Sequence, residues 1–339
     1  MTDSRSKRAA WSSERPAPGG RQNAVEIGLS AAIVSIADER PQVLVVRRRG
    51  ERDALPFGPF DPLRHRTLES GLRSWVKDQT YLAFDYAEQL YTFGDRGRHR
   101  IEAGEDARIV SVGYLALIRA TDSLEAPNSA WGQWYRYFPW EDWRDEKPAI
   151  VGRTILPLLK RFVRVSPDRH ERERRNARTR MCFAADGLPW DEERVLERYE
   201  LLYEAGLVEE ARHDGRLTDP GSLPQPPLGQ AMQFDHRRIL ATAIARLRGK
   251  MKYRPIVFEL MPPAFTLLEL QRAVEAISGV RLHKQNFRRL VEEQGLVERT
   301  GRFARMARGR PAELFRFRRE VLGERHTPGM RLGTRRTGI

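Results

Sequence analysis

Apolar and polar positions follow three rhythms along this chain. Val25 to Ala37 is rich in β-branched residues, and Gln42 to Val46 is a short apolar run ahead of Arg47-Arg48-Arg49. Both predict strands, the second buried on both faces. A loop carrying Pro56, Gly58, Pro59 and Pro62 leads into a predicted helix over Thr67 to Gln79, with Leu68, Leu72, Trp75 and Val76 inward. Glu88 to Phe93 and Ile109 to Ile118 read as further strands, the latter by the alternation of Val110, Val112, Tyr114, Ala116 and Ile118. Seven aromatic residues then crowd Trp131 to Trp143, which predicts a strand and loop lining a core or pocket. Mixed strands followed by a helix make an α/β or α+β domain.

From about Ile150 to Arg216 the period turns helical. Ile155 to Val163 is apolar enough to dock. Arg169 to Arg180 alternates Arg with Glu171 and Glu173, the pattern of a solvated helical face or of a second nucleic-acid contact. Asp191 to Ala205 predicts a helix packing Val195, Leu196, Tyr199 and Leu202. It closes at Gly206-Leu207-Val208-Glu209, an echo of Gly295-Leu296-Val297-Glu298 that leaves a second winged-helix-like unit open beside an ordinary helix stop. Thr218 to Gly229, rich in Pro and Gly, reads as a linker. Phe234 to Lys250 follows as an amphipathic helix with Ile239, Leu240, Ala243, Ile244 and Leu247 on one side.

The last quarter carries the most specific pattern. Thr266-Leu267-Leu268-Glu269 is a capping box ahead of Leu267, Leu270, Val274 and Ile277 at helical spacing, and Ser278-Gly279 ends that helix. A second helix, His283 to Gln294, buries Phe287, Leu290 and Val291 and presents Lys284, Asn286, Arg288 and Arg289. Two basic strands follow, joined through Arg302, Arg305 and Arg308-Gly309-Arg310-Pro311. This is the layout of a winged helix-turn-helix, whose second helix enters a major groove while the wing touches flanking backbone. Arg308 and Arg310 suit a narrow minor groove, and Gly309 permits close approach. From Lys284 to Arg319 eleven Lys or Arg stand against four Glu, which favours DNA over a merely solvated surface.

Bulk properties narrow the partners further. The 339 residues allow two domains and a subdomain, and a net charge of +14 favours an anionic partner. One cysteine, Cys182, excludes an internal disulfide framework and gives no metal cluster. No apolar run approaches the ~20 residues of a membrane helix. Met1 to Gly20 lacks the apolar core of a signal peptide and reads as a disordered tail of a cytoplasmic protein, and Glu324 to Ile339 reads as a loose basic tail.

Leu55-Pro56-Phe57-Gly58, followed by Leu72-Arg73-Ser74-Trp75-Val76-Lys77-Asp78-Gln79-Thr80, resembles a Nudix box. Such a box clusters carboxylates on one helix face to hold Mg²⁺ against a pyrophosphate. Here Arg64 stands at the first Glu position, Ser74 and Lys77 replace two further Glu, and only Asp78 keeps its charge. The segments Gln89 to Asp95, Arg98, and Ser111 to Leu117 look like those that follow the box in ADP-ribose-type Nudix domains. Phe234 to Lys250 resembles the last Nudix helix, and Tyr253 to Ala312 the attached winged helix. Together these resemble the Nudix-related transcriptional regulators of NAD metabolism of the NrtR type, in the divergent alphaproteobacterial branch called NadQ. The resemblance covers about Val25 to Asp145 and Phe234 to Arg318.

The resemblance implies an α+β chain: a degenerate Nudix α/β/α sandwich with a helical insert, then a C-terminal winged helix-turn-helix. The expected organisation is a tail over 1–22, a ligand-sensing domain over 23–149, insert and linker over 150–229, and a connecting helix over 230–252. The winged helix would take 253–320 and a basic tail 321–339. It further implies a homodimer that represses NAD biosynthesis or salvage genes from a near-palindromic double-stranded DNA operator. The effector would be NAD, ADP-ribose or ATP, with no required cofactor, no metal and no catalytic residue. Candidate DNA contacts are Lys284, Asn286, Arg288, Arg289, Arg302, Arg308 and Arg310. Arg49, Arg73, Asp95, Arg98 and Arg100 are the candidates for ligand phosphate or ribose, against the plainer reading of surface charges and structural ion pairs. The competing expectation is an active Nudix pyrophosphatase using Glu69, Asp85, Glu88, Glu102 or Glu105, with an accessory nucleic-acid-binding domain. RNA binding would need an exposed aromatic platform, and these aromatics fall at core spacing or in the Trp-rich stretch.

Overall fold

The computed structural model describes residues 25–47, 50–95, 108–120, 124–215, 224, 227–304 and 311–323. The expected tail over 1–22 lies outside these residues, as do Glu324 to Ile339 and most of the Pro/Gly-rich linker; Val321 to Gly323, expected in the basic tail, instead finish a short 3-10 helix over Arg319–Gly323, with Val321 buried. Among them, no helix is long and apolar enough to cross a membrane.

Strand β1 (Val25–Ala37) is the spine of a mixed sheet. It pairs in parallel with β5 (Arg108–Leu117), Val34 opposite Leu117, and antiparallel with β2 (Arg40–Val46), Val34 opposite Val43. The short β3 (Phe57–Pro59) joins its other half, β4 (Tyr86–Phe93) flanks β5, and β6 (Ser129–Gln133) flanks β2. Val43, Leu44 and Val45 are all buried, as an unalternating run requires. Side-chain alternation sorts two cores. Leu29, Ala31 and Ile33 of β1 pack with Val112, Tyr114 and Ala116 of β5 under α1 (Leu68–Thr80), through Leu72 and Val76. Ala32, Val34, Leu115 and Leu117 face the opposite way. There they meet Ile239, Leu240, Ala243, Ile244 and Leu247 of a long helix over His236–Met251, which closes an α/β/α sandwich.

Between sheet and long helix, residues 150–215 add four helices. A π-helical turn at Val151–Ile155 runs into α2 (Leu156–Arg164), and α3 (Arg169–Cys182), α4 (Val195–Glu204) and α5 (Glu209–His213) follow, so the long helix is α6. Their apolar faces do not form a separate core. Leu159, Phe183, Tyr199 and Leu202 pack with Trp134, Tyr137, Phe138 and Trp140, all fully buried, and with α6. The Trp-rich stretch is therefore core, wedged between sheet and insert. Two boundaries differ from the sequence expectation for local reasons. Asp191 turns the chain first, its carboxylate accepting from Glu193 N at 3.1 Å, so α4 begins at Val195 and not at Asp191. Phe234 sits at φ +49°, outside helical geometry, so α6 starts at His236. After Gly206, Leu207 and Val208 are buried but Glu209 opens α5, so no strand forms there and the echo of the C-terminal unit is a helix stop only.

The C-terminal part is α7 (Leu267–Ser278), α8 (Lys284–Glu293), β7 (Val297–Ala304) and β8 (Ala312–Phe317), with Phe265 bridging to Phe315 at the sheet edge. Its Leu270, Val274, Ile277, Phe287, Val291 and Phe315 belong to the same apolar cluster as α6 and the insert.

Candidate functional site

The helix-turn-helix is built by local rules. Thr266 Oγ1 accepts from Glu269 N at 3.2 Å while Glu269 Oε2 accepts from Thr266 N at 2.7 Å, the reciprocal cap its sequence predicts. Gly279 ends α7 at φ +74°, and a Cβ there would stand 2.4 Å from the Glu141 carbonyl oxygen, so both the turn and a neighbouring chain segment require glycine. On α8, Phe287 and Val291 face inward, and Lys284, Asn286, Arg288 and Arg289 are exposed. Arg289 lies 3.8 Å from Glu293, a loose solvent-side pair; the side chains of Lys284, Asn286 and Arg288 have no partner among the described residues. Lys284 also borders a 360 Å³ cleft with Arg272 and Arg281. In the wing, Arg299 pairs with Glu313 at 3.0 Å and Arg316 with Glu298 at 2.6 Å, so these strands are less basic in effect than in sequence. Arg302 is exposed on β7; Arg305, Arg308 and Arg310 lie outside the described residues.

Sequence reasoning missed how the turn is held. Tyr135 donates its hydroxyl to Ala276 O at 2.7 Å, Arg248 Nε donates to Ile277 O at 2.8 Å, and Trp143 N donates to Gly279 O at 2.7 Å. These donors satisfy the orphan carbonyls at the end of α7, and a guanidinium there also complements the negative end of the helix dipole. Arg248 in turn reaches Glu141 Oε2 at 2.6 Å, and the same carboxylate holds Arg198 of α4 in a bidentate pair. Glu141, Arg198 and Arg248 are 1% exposed or less. Two guanidiniums against one carboxylate would leave a buried positive charge, which the carbonyls of Asp191, Glu192 and Ile277 help to solvate. Nearer the surface, Arg281 pairs with Glu275 at 3.0 Å and Asp145 at 3.2 Å, and Arg272 with Glu39 at 3.3 Å. One sequence signal was available: Arg237 and Arg248 fall on the apolar face of α6, in step with Ala241 and Ile244, where a charge needs a partner.

A second buried carboxylate, Asp53, ties the loop after β2 to residues ahead of α6. It accepts from Tyr137 Oη at 2.7 Å and Gln230 Nε2 at 2.8 Å. Burial and this acidic neighbour push the Tyr137 phenol well above its ordinary pKa. Deeper, Leu55 N donates to His236 Nδ1 at 3.1 Å, so Nε2 carries the ring proton, 3.4 Å from Ser30 Oγ. On the sheet edge, Glu88 accepts from Lys250 and from Tyr86 Oη at 2.6 Å; burial alone would raise its pKa, but these bonds win and hold it below the usual carboxylate value.

The loop and helix resembling a Nudix box are clasped by neutral groups. Trp75 Nε1 donates to Pro59 O at 2.8 Å and its ring covers Gly58, where a Cβ would come within 2.2 Å. Gln79 bonds both the N–H and the carbonyl of Phe57, at 3.1 and 2.6 Å. Ser74, Lys77 and Asp78 are exposed on α1. Arg73 donates to Glu69 at 2.9 Å and to the carbonyls of Phe84 and Asp85, and lies 4.5 Å over the Phe84 ring. Asp95 pairs with Arg238 of α6. Both side chains are therefore engaged in holding the fold, and Arg49, Arg98 and Arg100 lie outside the described residues. Of the carboxylates the hydrolase expectation names, Glu69 binds Arg73, Glu88 binds Lys250 and Arg246, and Glu102 and Glu105 lie outside the described residues. Among the described residues no three His, Cys, Asp or Glu are placed to hold a metal ion.

Residues 257–317 match the NrtR DNA-binding winged helix domain. The ADPR responsive transcriptional repressor NtrR of Acinetobacter baylyi is 46% identical over 86 residues, 25% of this chain and 34% of that protein, so the match spans about a third of the relative's length. Shewanella oneidensis NrtR superposes with a TM-score of 0.50 at 19% identity, over 86% of this chain and 94% of that one. The same protein complexed with a 27mer DNA gives 0.49 at 21% identity, over 86% and 93%. The shared architecture is a Nudix fold followed by a winged helix.

Proposed function

From a Nudix fold that carries an NrtR-type DNA-binding winged helix, we propose that this chain is a nucleotide-responsive transcriptional repressor and not a hydrolase. The observation that carries this reading is the outward face of α8, where Lys284, Asn286 and Arg288 stand exposed beside the wing, without partners among the described residues. Arg288 and Asn286 are the side-chain types that bond base edges bidentately, and Lys284 and Arg302 suit phosphate. Arg308 and Arg310 are proposed for the flanking groove. Two copies would place their α8 helices about one DNA turn apart, ~34–36 Å, over a near-palindromic operator of NAD biosynthesis or salvage genes.

ADP-ribose is the favoured effector, because the Acinetobacter relative is ADPR responsive; NAD and ATP share its adenosine pyrophosphate. Arg49, Arg98 and Arg100 remain the proposed phosphate contacts, whereas Arg73 and Asp95 would first have to leave Glu69 and Arg238. Against hydrolysis stands the donor set: Ser74 and Lys77 occupy two carboxylate positions, and an ammonium there repels a divalent cation. The residues present do not fit Mg²⁺. Effector control requires that the nucleotide bind one geometry of the protein better than another. The rigid path for it is α6, whose Arg248 grips the end of α7.

Fluorescence anisotropy on upstream DNA of NAD-synthesis genes, with and without ADP-ribose, NAD or ATP, tests the reading. Wild type is expected to bind at nanomolar concentration, one nucleotide is expected to shift that affinity at least fivefold, and no AMP should accumulate with ADP-ribose and Mg²⁺. Turnover of ADP-ribose without DNA binding would return the chain to the hydrolases.

A further inference from the structure

Residues 150–182 hold ten Lys or Arg against three acids, a net +7 that is half the charge of the whole chain. The structure divides these cations into two kinds. On α3 most are already neutralised: Arg169 by Glu173 at 2.8 Å, Arg174 and Arg175 by Glu171 at 2.7 and 2.6 Å, Arg178 by Glu204, and Arg180 by Asp186 at 2.9 Å. Arg175 also lies 3.9 Å over the Phe162 ring and donates to its carbonyl, cementing α3 to α2. The Arg-Glu run that stands out in the sequence is therefore largely structural.

The preceding helix is different. Arg153, Lys160, Arg161 and Arg164 are all exposed, and none of their side chains has a hydrogen bond or ion pair among the described residues. Their spacing of seven, one and three residues places them within about a third of the helix circumference, opposite the buried Val151, Ile155 and Leu159. At ~1.5 Å per residue the stripe runs about 16 Å. Like charges three and four residues apart repel, and the dipole at the helix C-terminus compensates only Arg161 and Arg164. Arg153 sits at the opposite, positive end.

We propose that this bare stripe is a second DNA-backbone surface, which takes the phosphates of duplex flanking the sequence read by α8. It rests on the DNA-binding reading above and adds a contact that the winged helix does not supply. The stripe is all cation, with no Asn or Gln to read adenine and no recognition helix to carry its Arg side chains into a groove, so it should act on phosphates and add affinity and salt dependence without sequence discrimination. The partner is duplex DNA because the chain already carries a duplex-reading module, and a rigid helix matches regularly spaced charges.

The test uses the full chain and a labelled random-sequence 40-bp duplex, titrated between 50 and 200 mM salt. The variant R153Q/K160Q/R161Q/R164Q, with an unchanged circular dichroism spectrum, is expected to bind at least tenfold more weakly at 100 mM salt. For every phosphate that the variant no longer neutralises, the slope of log affinity against log salt should become shallower by about 0.9. R153K/R161K/R164K keeps the charges and should keep the slope. A quadruple variant with the wild-type slope overturns the stripe and leaves the regulator reading standing. An equally weakened Lys-retaining variant also overturns it, since folding or packing would then be responsible. If wild type binds neither this duplex nor any operator fragment, the regulator reading falls and the stripe with it.

Discussion

Glu141 shows how much one side chain can hold together. Its carboxylate, 1% exposed, accepts from Arg198 and Arg248, which reach it from α4 and α6. Removing one partner from such a buried group leaves charges that no water can solvate, at a typical cost of about 3–5 kcal/mol. Glu141→Gln keeps the shape and removes the charge, so it should lower stability by about that amount in urea titration, while the exposed Glu146→Gln stays within about 0.5 kcal/mol. Equal midpoints for the two variants would show that the carboxylate is not needed as a charge. Nothing in the local sequence around Glu141 announced this, because its partners lie 57 and 107 residues away. The Arg73 and Asp95 side chains teach the converse. Their residue types suit a nucleotide, yet a nearby carboxylate, two carbonyls and Arg238 already satisfy them.

At the scale of elements, α7 and α8 were legible almost to the residue. A capping box, an apolar stripe and a C-terminal glycine are all local signals, each readable from residues within a few positions of one another. The consequence for α8 is a division of labour among exposed side chains. Arg288→Ala should cost about 1–3 kcal/mol on the preferred operator and much less on random DNA, relaxing specificity at one position. Arg302→Ala should weaken both alike and lower the salt slope by about one. Anisotropy on matched specific and random duplexes separates these outcomes, and the same weakening on both for Arg288→Ala would place α8 outside the groove. Helix α3 was legible as a helix and misleading as a surface. Its sequence shows Arg alternating with Glu171 and Glu173, but the partners of Arg178 and Arg180, Glu204 and Asp186, come from outside the helix.

For the whole molecule, the important fact is one shared core. The apolar cluster runs from Val34 of the sheet through Trp140 of the aromatic stretch and Leu202 of the insert to Ile244 of α6 and Ile277 and Val291 of the helix-turn-helix. Parts joined by buried surface of this kind unfold together, so calorimetry should show a single transition for the chain. Two separate endotherms would mean that the winged helix is only tethered. The same continuity bears on the proposed control by ligand, because a shift in α6 would move both Arg248 and the turn it caps. The sequence by itself determined the periodic elements, the two-sided burial of β2, the capped helices and the exposed basic face of α8, since each depends on residues a few positions apart. Tertiary structure alone decided which charges are paired and which are bare, because pairing is settled by neighbours that the fold brings from distant parts of the chain. It also merged the insert with the sheet and the winged helix, since the burial of apolar surface is indifferent to position in sequence.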